Sequence, residues 1–196
     1  MMKIGLTGGI GTGKSTVSIM LKNEGMKIID ADEISKMVLE QNSGILERVK
    51  SEFGTGFFDW RGEFRRKEFG NHIFRFPKER LKYEAMIMPY IIKKIESEFE
   101  KYKDEEIVIL DAPTLIENSM HKDMDYVILV CADSAIQLKR VMNRDKLSRL
   151  NAVSRINSQM SLLEKKDYAN IIIDNNEELE KTKKQVHDIV EFLKLI

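Results

Sequence analysis

The run Gly8-Gly9-Ile10-Gly11-Thr12-Gly13-Lys14-Ser15 has the residue types and spacing of a loop that grips phosphates, G-x-x-x-x-G-K-[ST]. Gly9, Gly11 and Gly13, with Thr12 among them, let backbone N–H groups turn inward around anionic oxygens. A helix beginning near Thr16 adds the positive end of its dipole. In this pattern Lys14 reaches the β- and γ-phosphates, and the Ser15 hydroxyl is placed to ligate Mg²⁺. The apolar run Ile4-Gly5-Leu6 stands directly before the loop, and Val17, Met20 and Leu21 share a helical face after it. Strand, loop and helix in that order imply a site for a nucleoside triphosphate such as ATP, with its magnesium.

A hydroxyl that attacks the triphosphate needs a group to take its proton or hold it in line. Asp30 and Asp32, in Ile29-Asp30-Ala31-Asp32-Glu33, fall where a second strand should end near the loop, and Asp32 is the candidate. Helix N-capping selects aspartate at the same place, so position alone leaves both roles open. Asp111 closes the apolar run Ile107-Val108-Ile109-Leu110 in a Walker-B-like arrangement, where a strand delivers a carboxylate to Mg²⁺ directly or through water. Pro113 breaks that strand, and Glu117 in the loop beyond either approaches the acceptor or is a solvated surface residue.

Gln137, Arg140 and Arg144 share a helical face, and Arg149 and Arg155 follow in a polar segment that ends near Gln159. Charge on a helix is ordinarily a solvated face. Beside a phosphate loop, these guanidinium groups read as a lid that stabilises charge on the transferred phosphoryl oxygens while excluding water. His72, His121 and His187 are scattered without ligand spacing. Cys131, the single cysteine, ends an apolar run and reads as a buried strand-end residue.

Five continuous apolar runs can carry these groups: Ile4–Thr7, Lys27–Asp30, Ile107–Asp111, Tyr126–Cys131 and Ile171–Asp174. Such runs suit a parallel sheet covered on both faces. Helical patterns fall at Ser15–Asn23, Asp32–Glu40, Tyr90–Tyr102, Ser134–Arg144 and Leu179–Leu193. Ile91, Ile92, Ile95, Phe99 and Tyr102 make one core-facing stripe, and Val186, Ile189, Val190 and Leu193 another. The alternation implies an open sheet with right-handed crossovers and ligands at the carboxyl ends of its strands.

The stretch from about Ile34 to Asp104 exceeds a plain crossover and reads as a mostly helical, substrate-binding insertion. It holds a glycine-punctuated loop, Gly54 to Gly62, followed by Phe64, Phe69, Ile73, Phe74 and Phe76. Those side chains either line a pocket or fill a small core. With 196 residues, 42% of them hydrophobic, the chain reads as one domain. Its 32 basic and 32 acidic residues give a formal net charge of +0, so no global field draws nucleic acid or an anionic membrane. No apolar run is long enough to span a bilayer, and the opening residues lack the pattern of a secretory signal, so a cytoplasmic enzyme is expected.

Together these segments resemble the dephospho-coenzyme A kinase family over most of the chain. The resemblance rests on Ile4 to Val17, on Ile29-Asp30-Ala31-Asp32-Glu33-Ile34, and on Gly62 to Phe74 with Arg66, Phe69, Ile73 and Phe74. It continues through Asp111-Ala112-Pro113-Thr114-Leu115-Ile116-Glu117, the set Gln137, Arg140, Arg144, Arg155 and Gln159, and Ile173-Asp174-Asn175. The resemblance implies transfer of the ATP γ-phosphate to the ribose 3′-hydroxyl of dephospho-coenzyme A. By matching positions it makes Asp32 the base or orienter, Lys14 and Arg140 the stabilisers of transferred charge, Arg144 a second lid contact and Asn175 a neighbour of the adenine.

The sequence departs from the family pattern at three places. Met88-Pro89 stands where a His-Pro pair is usual, Thr114 and Ile116 replace Leu and Phe, and Asn170 replaces an Asp before the final strand. A P-loop kinase of another small hydroxyl acceptor and a catalytically silent nucleotide-binding paralogue are the competing readings. The expected fold is α/β: a five-stranded parallel sheet of P-loop NTPase type flanked by helices, with a helical acceptor-binding insertion and a helical lid. The expected core covers about 1–31, 104–136 and 166–196, the insertion 32–103 and the lid 137–165.

Overall fold

The computed structural model describes residues 1–196 apart from the side chain of Phe74; the expectation for that aromatic lies outside what is described. Among the described residues, five strands form one parallel sheet: β1 (Met2–Gly8), β2 (Lys27–Asp30), β3 (Ile107–Asp111), β4 (Tyr126–Cys131) and β5 (Ile171–Asp174). Their order is β2-β3-β1-β4-β5, so the chain crosses over after β1 and again after β3, with β1 in the middle. The register sets Leu6 opposite Asp111 and Asp30 opposite Asp111, so Gly8, Asp30, Asp111, Cys131 and Asp174 all lie at the carboxyl edge. That edge, at the switch point beside β1, is where an open α/β sheet binds ligands.

The helices are α1 (Lys14–Asn23), α2 (Ala31–Gln41), α3 (Ser43–Phe53), α4 (Arg66–Arg75), α5 (Pro77–Lys101), α6 (Ser134–Asp145), α7 (Arg149–Ile156), α8 (Leu162–Lys166) and α9 (Leu179–Leu195). The chain divides into two compact units, Met1–Asp30 with Phe99–Ile196, and Ala31–Glu98. In the first, Ile4, Leu6, Ile109, Ile128, Val130 and Ile173 pack with Val17 and Leu21 of α1 and Val186, Val190 and Leu193 of α9. Removing this apolar surface from water supplies the main stabilisation of the unit, about 1.5–3 kcal/mol per large side chain. Among the described residues, no helix is long and apolar enough to cross a membrane.

The second unit is helical, and Phe69 is its hub. Its ring stacks edge-on or tilted within about 5 Å of Phe53, Phe57, Phe64 and Tyr83. Of the two readings of the aromatic segment, Phe69 therefore follows the core-filling one. Burial pushes the Tyr83 phenol up to about 12, so it stays neutral among these rings. Two expectations are corrected here. The long helix begins at Pro77 rather than Tyr90 and runs through Pro89, because a buried face of Met86, Ile87, Ile91 and Ile95 spans the proline and outweighs its missing N–H. Ile92 falls off that face and is exposed.

Candidate active site

Between β1 and α1 the loop Gly9–Gly13 is held from its outer side. Thr12 folds back on it, its N–H and its hydroxyl both donating to the Gly9 carbonyl. The Ile10 peptide is fixed at both ends: Ile10 N–H donates to Gln159 Oε1 at 2.9 Å, and Gln137 Nε2 donates to the Ile10 carbonyl at 2.7 Å. The Thr12 carbonyl receives Asn175 Nδ2 at 2.7 Å and Arg140 Nη1 at 3.3 Å. Gly11 and Gly13 adopt φ of 81° and 92°, the left-handed region that turns successive peptides in a tight loop. A Cβ on Gly13 would lie 2.0 Å from Asn175 Nδ2, so glycine is required there twice over.

At the mouth of this loop, Lys14 Nζ pairs with Asp111 Oδ1, and Asp111 is almost wholly buried. Ser15 is exposed in the first turn of α1. One carboxylate and one hydroxyl, both hard oxygen donors, fit Mg²⁺, which keeps its waters and takes few protein ligands beside phosphates. Among the described residues there is no group of three or more His, Cys, Asp or Glu that could hold a metal ion by itself.

The arginines predicted for the lid separate into two settings. Arg140 reaches inward, with Nη2 donating to the Asn175 carbonyl at 3.0 Å in addition to its bond to Thr12. Arg144 lies further out, 58% exposed, with Nε and Nη2 forked onto Asp145, whose Oδ2 also accepts from Arg155 Nη1 at 3.0 Å. The Arg144 hydrogen bonds, and then the Arg144 and Arg155 charges, hold the Asp145 carboxyl below the usual aspartate range. Because the folded value is depressed, the contact is complete above about pH 5 and is lost as pH falls through that lowered value. Protection factors of the amides at the α6–α7 junction, with the intrinsic pH dependence of exchange divided out, should therefore fall as the pH is lowered below the usual aspartate range. Asp145→Asn should abolish most of that pH dependence, with a stability change of about 1 kcal/mol because the Arg144 partner is more than half exposed and screened by solvent.

With this geometry in view, a sequence profile of dephospho-CoA kinase matches residues 2–181. The chain belongs to the dephospho-CoA kinase family. It is 58% identical to a Clostridium perfringens protein named dephospho-CoA kinase, over 100% of this chain and 99% of that one. A Thermus thermophilus crystal structure superposes with a TM-score of 0.83 at 27% identity, over 98% of this chain and 97% of the other. A Campylobacter jejuni dephospho-CoA kinase superposes with a TM-score of 0.72 at 27% identity, over 96% and 95%. Membership gives the activity: ATP-dependent phosphorylation of a hydroxyl group, dephospho-CoA being the acceptor the family is named for.

Within this kinase family two of the three departures have local accounts, and nothing in the structure explains the methionine at Met88. Asn170 N–H donates to the Val127 carbonyl, and Asn170 Oδ1 accepts from Val127 N–H at 2.8 Å, so only an oxygen is used and an amide serves as a carboxylate would. Thr114 Oγ1 accepts from Asn118 Nδ2, closing the loop on itself, and Ile116 is buried in that loop. Met88 lies inside α5, half-buried in the second unit. Asp32 lies in the first turn of α2, two residues past the end of β2, exposed and in the same unit as Met88.

The structure brings Gly9, Gly11, Thr12, Gly13, Lys14, Asp111, Arg140 and Asn175 together, with Ser15 and Thr16 in the first turn of α1. The Asn175 amide is committed inward, since it also accepts from Thr182 Oγ1 at 2.8 Å. Glu117 is not the solvated surface residue of the second reading: its Oε1 receives Met160 N–H and the ammonium of Lys165. Lys165 and Thr182 carried no sequence signal. The first sits in a Glu-Lys-Lys run that reads as a solvated face, and the second is a lone Thr in a helix.

Proposed function

We propose that this kinase moves the γ-phosphoryl group of ATP to the ribose 3′-hydroxyl of dephospho-CoA, with the insertion Ala31–Glu98 binding the acceptor and the segment from Gln137 to Lys165 acting as the lid. The observation that carries the reading is the phosphate loop braced at Ile10 and Thr12, with Lys14 and Asp111 paired at its mouth. A braced loop presents its remaining N–H groups without reorganisation when charge develops, which is what electrostatic catalysis requires.

In this mechanism Asp32 takes the proton of the 3′-hydroxyl as that oxygen bonds to the γ-phosphorus. The bond from the γ-phosphorus to the bridging oxygen breaks, and ADP leaves with the electron pair. Lys14 exchanges its partner Asp111 for phosphate oxygens, which frees the carboxylate. Ser15 and Asp111 would then hold Mg²⁺, which when bound neutralises phosphate charge as a Lewis acid. The loop N–H groups not already bonded among the described residues, those of Gly9, Gly11 and Gly13, are the backbone donors for the phosphates, with the Thr12 segment holding their shape and the Thr16 hydroxyl at the start of α1. Arg140, anchored at the loop, and Arg144, at the outer end of α6, supply guanidinium charge as the lid closes.

A coupled ADP-release assay with MgATP tests the acceptor. Turnover should depend on dephospho-CoA and stay at background with a nucleoside, a nucleotide or no acceptor. Equal turnover with a nucleoside would transfer the assignment to another hydroxyl acceptor.

A further inference from the structure

Lys165, the last residue of the segment proposed as the lid, is a lysine with 0% side-chain exposure and no part in the phosphoryl-transfer step just described. Its ammonium donates to the Pro113 carbonyl at 2.6 Å and pairs with Glu117 Oε1 at 3.0 Å. The same Pro113 carbonyl receives the hydroxyl of Thr7 in β1, and Pro113 follows Asp111 by two residues. Glu117 Oε1 receives Met160 N–H, and Met160 adjoins Gln159, the acceptor of Ile10 N–H in the phosphate loop. A closed circuit results: phosphate loop, Gln159, Met160, Glu117, Lys165, Pro113, Asp111, Lys14 and back to the phosphate loop.

A buried charge is costly, and an apolar side chain would serve packing as well or better. Burial indeed pulls the Lys165 ammonium below the usual lysine range, partly opposed by Glu117, and Lys14 adds repulsion from the phosphate side. Glu117 Oε2 is also buried without a hydrogen-bond partner among the described residues. Both costs fall on one pair that spans the two arms of the phosphate site. We infer that Lys165, through Glu117, is a positioning residue for phosphoryl transfer, locking the Ile10 peptide of the phosphate loop to the loop that follows Asp111 at the end of β3. The inference rests on the nucleotide site proposed above.

The test compares Lys165→Met with the double variant Lys165→Met/Glu117→Gln. The first should melt lower, because it leaves a buried carboxylate uncompensated. The second removes both charges and keeps an amide oxygen for Met160, so it should recover most of the melting temperature. Neither should recover turnover: kcat should remain about 10–100-fold low, the scale for loss of an outer supporting contact. KM for the acceptor should move by less than about threefold, since the loss falls on the transferring end. Amide exchange at Ile10 should quicken in both variants. Recovery of kcat together with melting temperature in the double variant, or unchanged Ile10 exchange, would overturn the inference and leave Lys165 a structural residue. Faster Ile10 exchange with wild-type kcat would instead overturn the phosphate-loop reading, and the coupling with it.

Discussion

Asp32→Asn should lower kcat by about two to four orders of magnitude, the scale for loss of a general base, while ATP binding stays nearly intact. The substitution keeps the shape of the side chain and removes its ability to take a proton. Asp32 also sits with Glu33 in the first turn of α2, where negative charge favours the positive end of the helix. That contribution is about 0.3–1 kcal/mol, too small to explain a hundredfold loss of turnover in a protein that remains folded. The two roles are therefore separated by magnitude. Single-turnover phosphoryl transfer, measured beside a calorimetric ATP titration and a thermal melt, checks it. A variant with full turnover and a slightly lower melting temperature would leave Asp32 as a helix-start residue only.

Gly13→Ala should abolish nucleotide binding and strongly destabilise the protein. A non-glycine residue forced into the left-handed region costs about 1–3 kcal/mol. The added methyl would meet Asn175 Nδ2 at 2.0 Å, so Asn175 must swing away from both the Thr12 carbonyl and Thr182. Leaving such buried groups unpaired costs about 1–3 kcal/mol more. The sum, about 2–6 kcal/mol, is a large part of a typical stability of about 5–15 kcal/mol. At about 2–4 °C per kcal/mol for a chain of this size, the melting temperature should fall by about 5–20 °C. A thermal melt and an ADP titration decide the matter: a wild-type melt with intact ADP affinity would mean that the Gly13–Asn175 contact relaxes freely.

The sheet was readable because its three inner strands, β1, β3 and β4, are buried on both faces and the edge strands β2 and β5 are short apolar runs. Continuous apolar runs ending in Asp30, Asp111, Cys131 and Asp174 admit few other interpretations, and four of the five strands have the bounds their runs suggest. The helix through Pro89 was less readable. Proline is a local helix-breaking signal, whereas the buried stripe of Met86, Ile87, Ile91 and Ile95 that overrides it is a tertiary effect. In the aromatic segment, composition allowed either a pocket or a core. The position of Phe69 among four other rings favours the core, and no local pattern encodes that clustering.

Sequence alone determined the chemistry on offer at the phosphate end, because a phosphate loop is a local device. Its glycines, Lys14 and Ser15 are contiguous, and their spacing carries the backbone geometry with it. Only the tertiary structure decided what stands behind that loop. Gln137, Gln159, Asn175, Thr182 and the buried Lys165–Glu117 pair come from distant positions; the sequence marked the first three without saying what they hold, and Lys165, which looks like solvated surface in one dimension, becomes an internal support once the helices and strands of this unit pack together. The physical reason is that a buried carbonyl or N–H must find a partner, and which side chain meets it depends on the packing of elements rather than on neighbours in sequence.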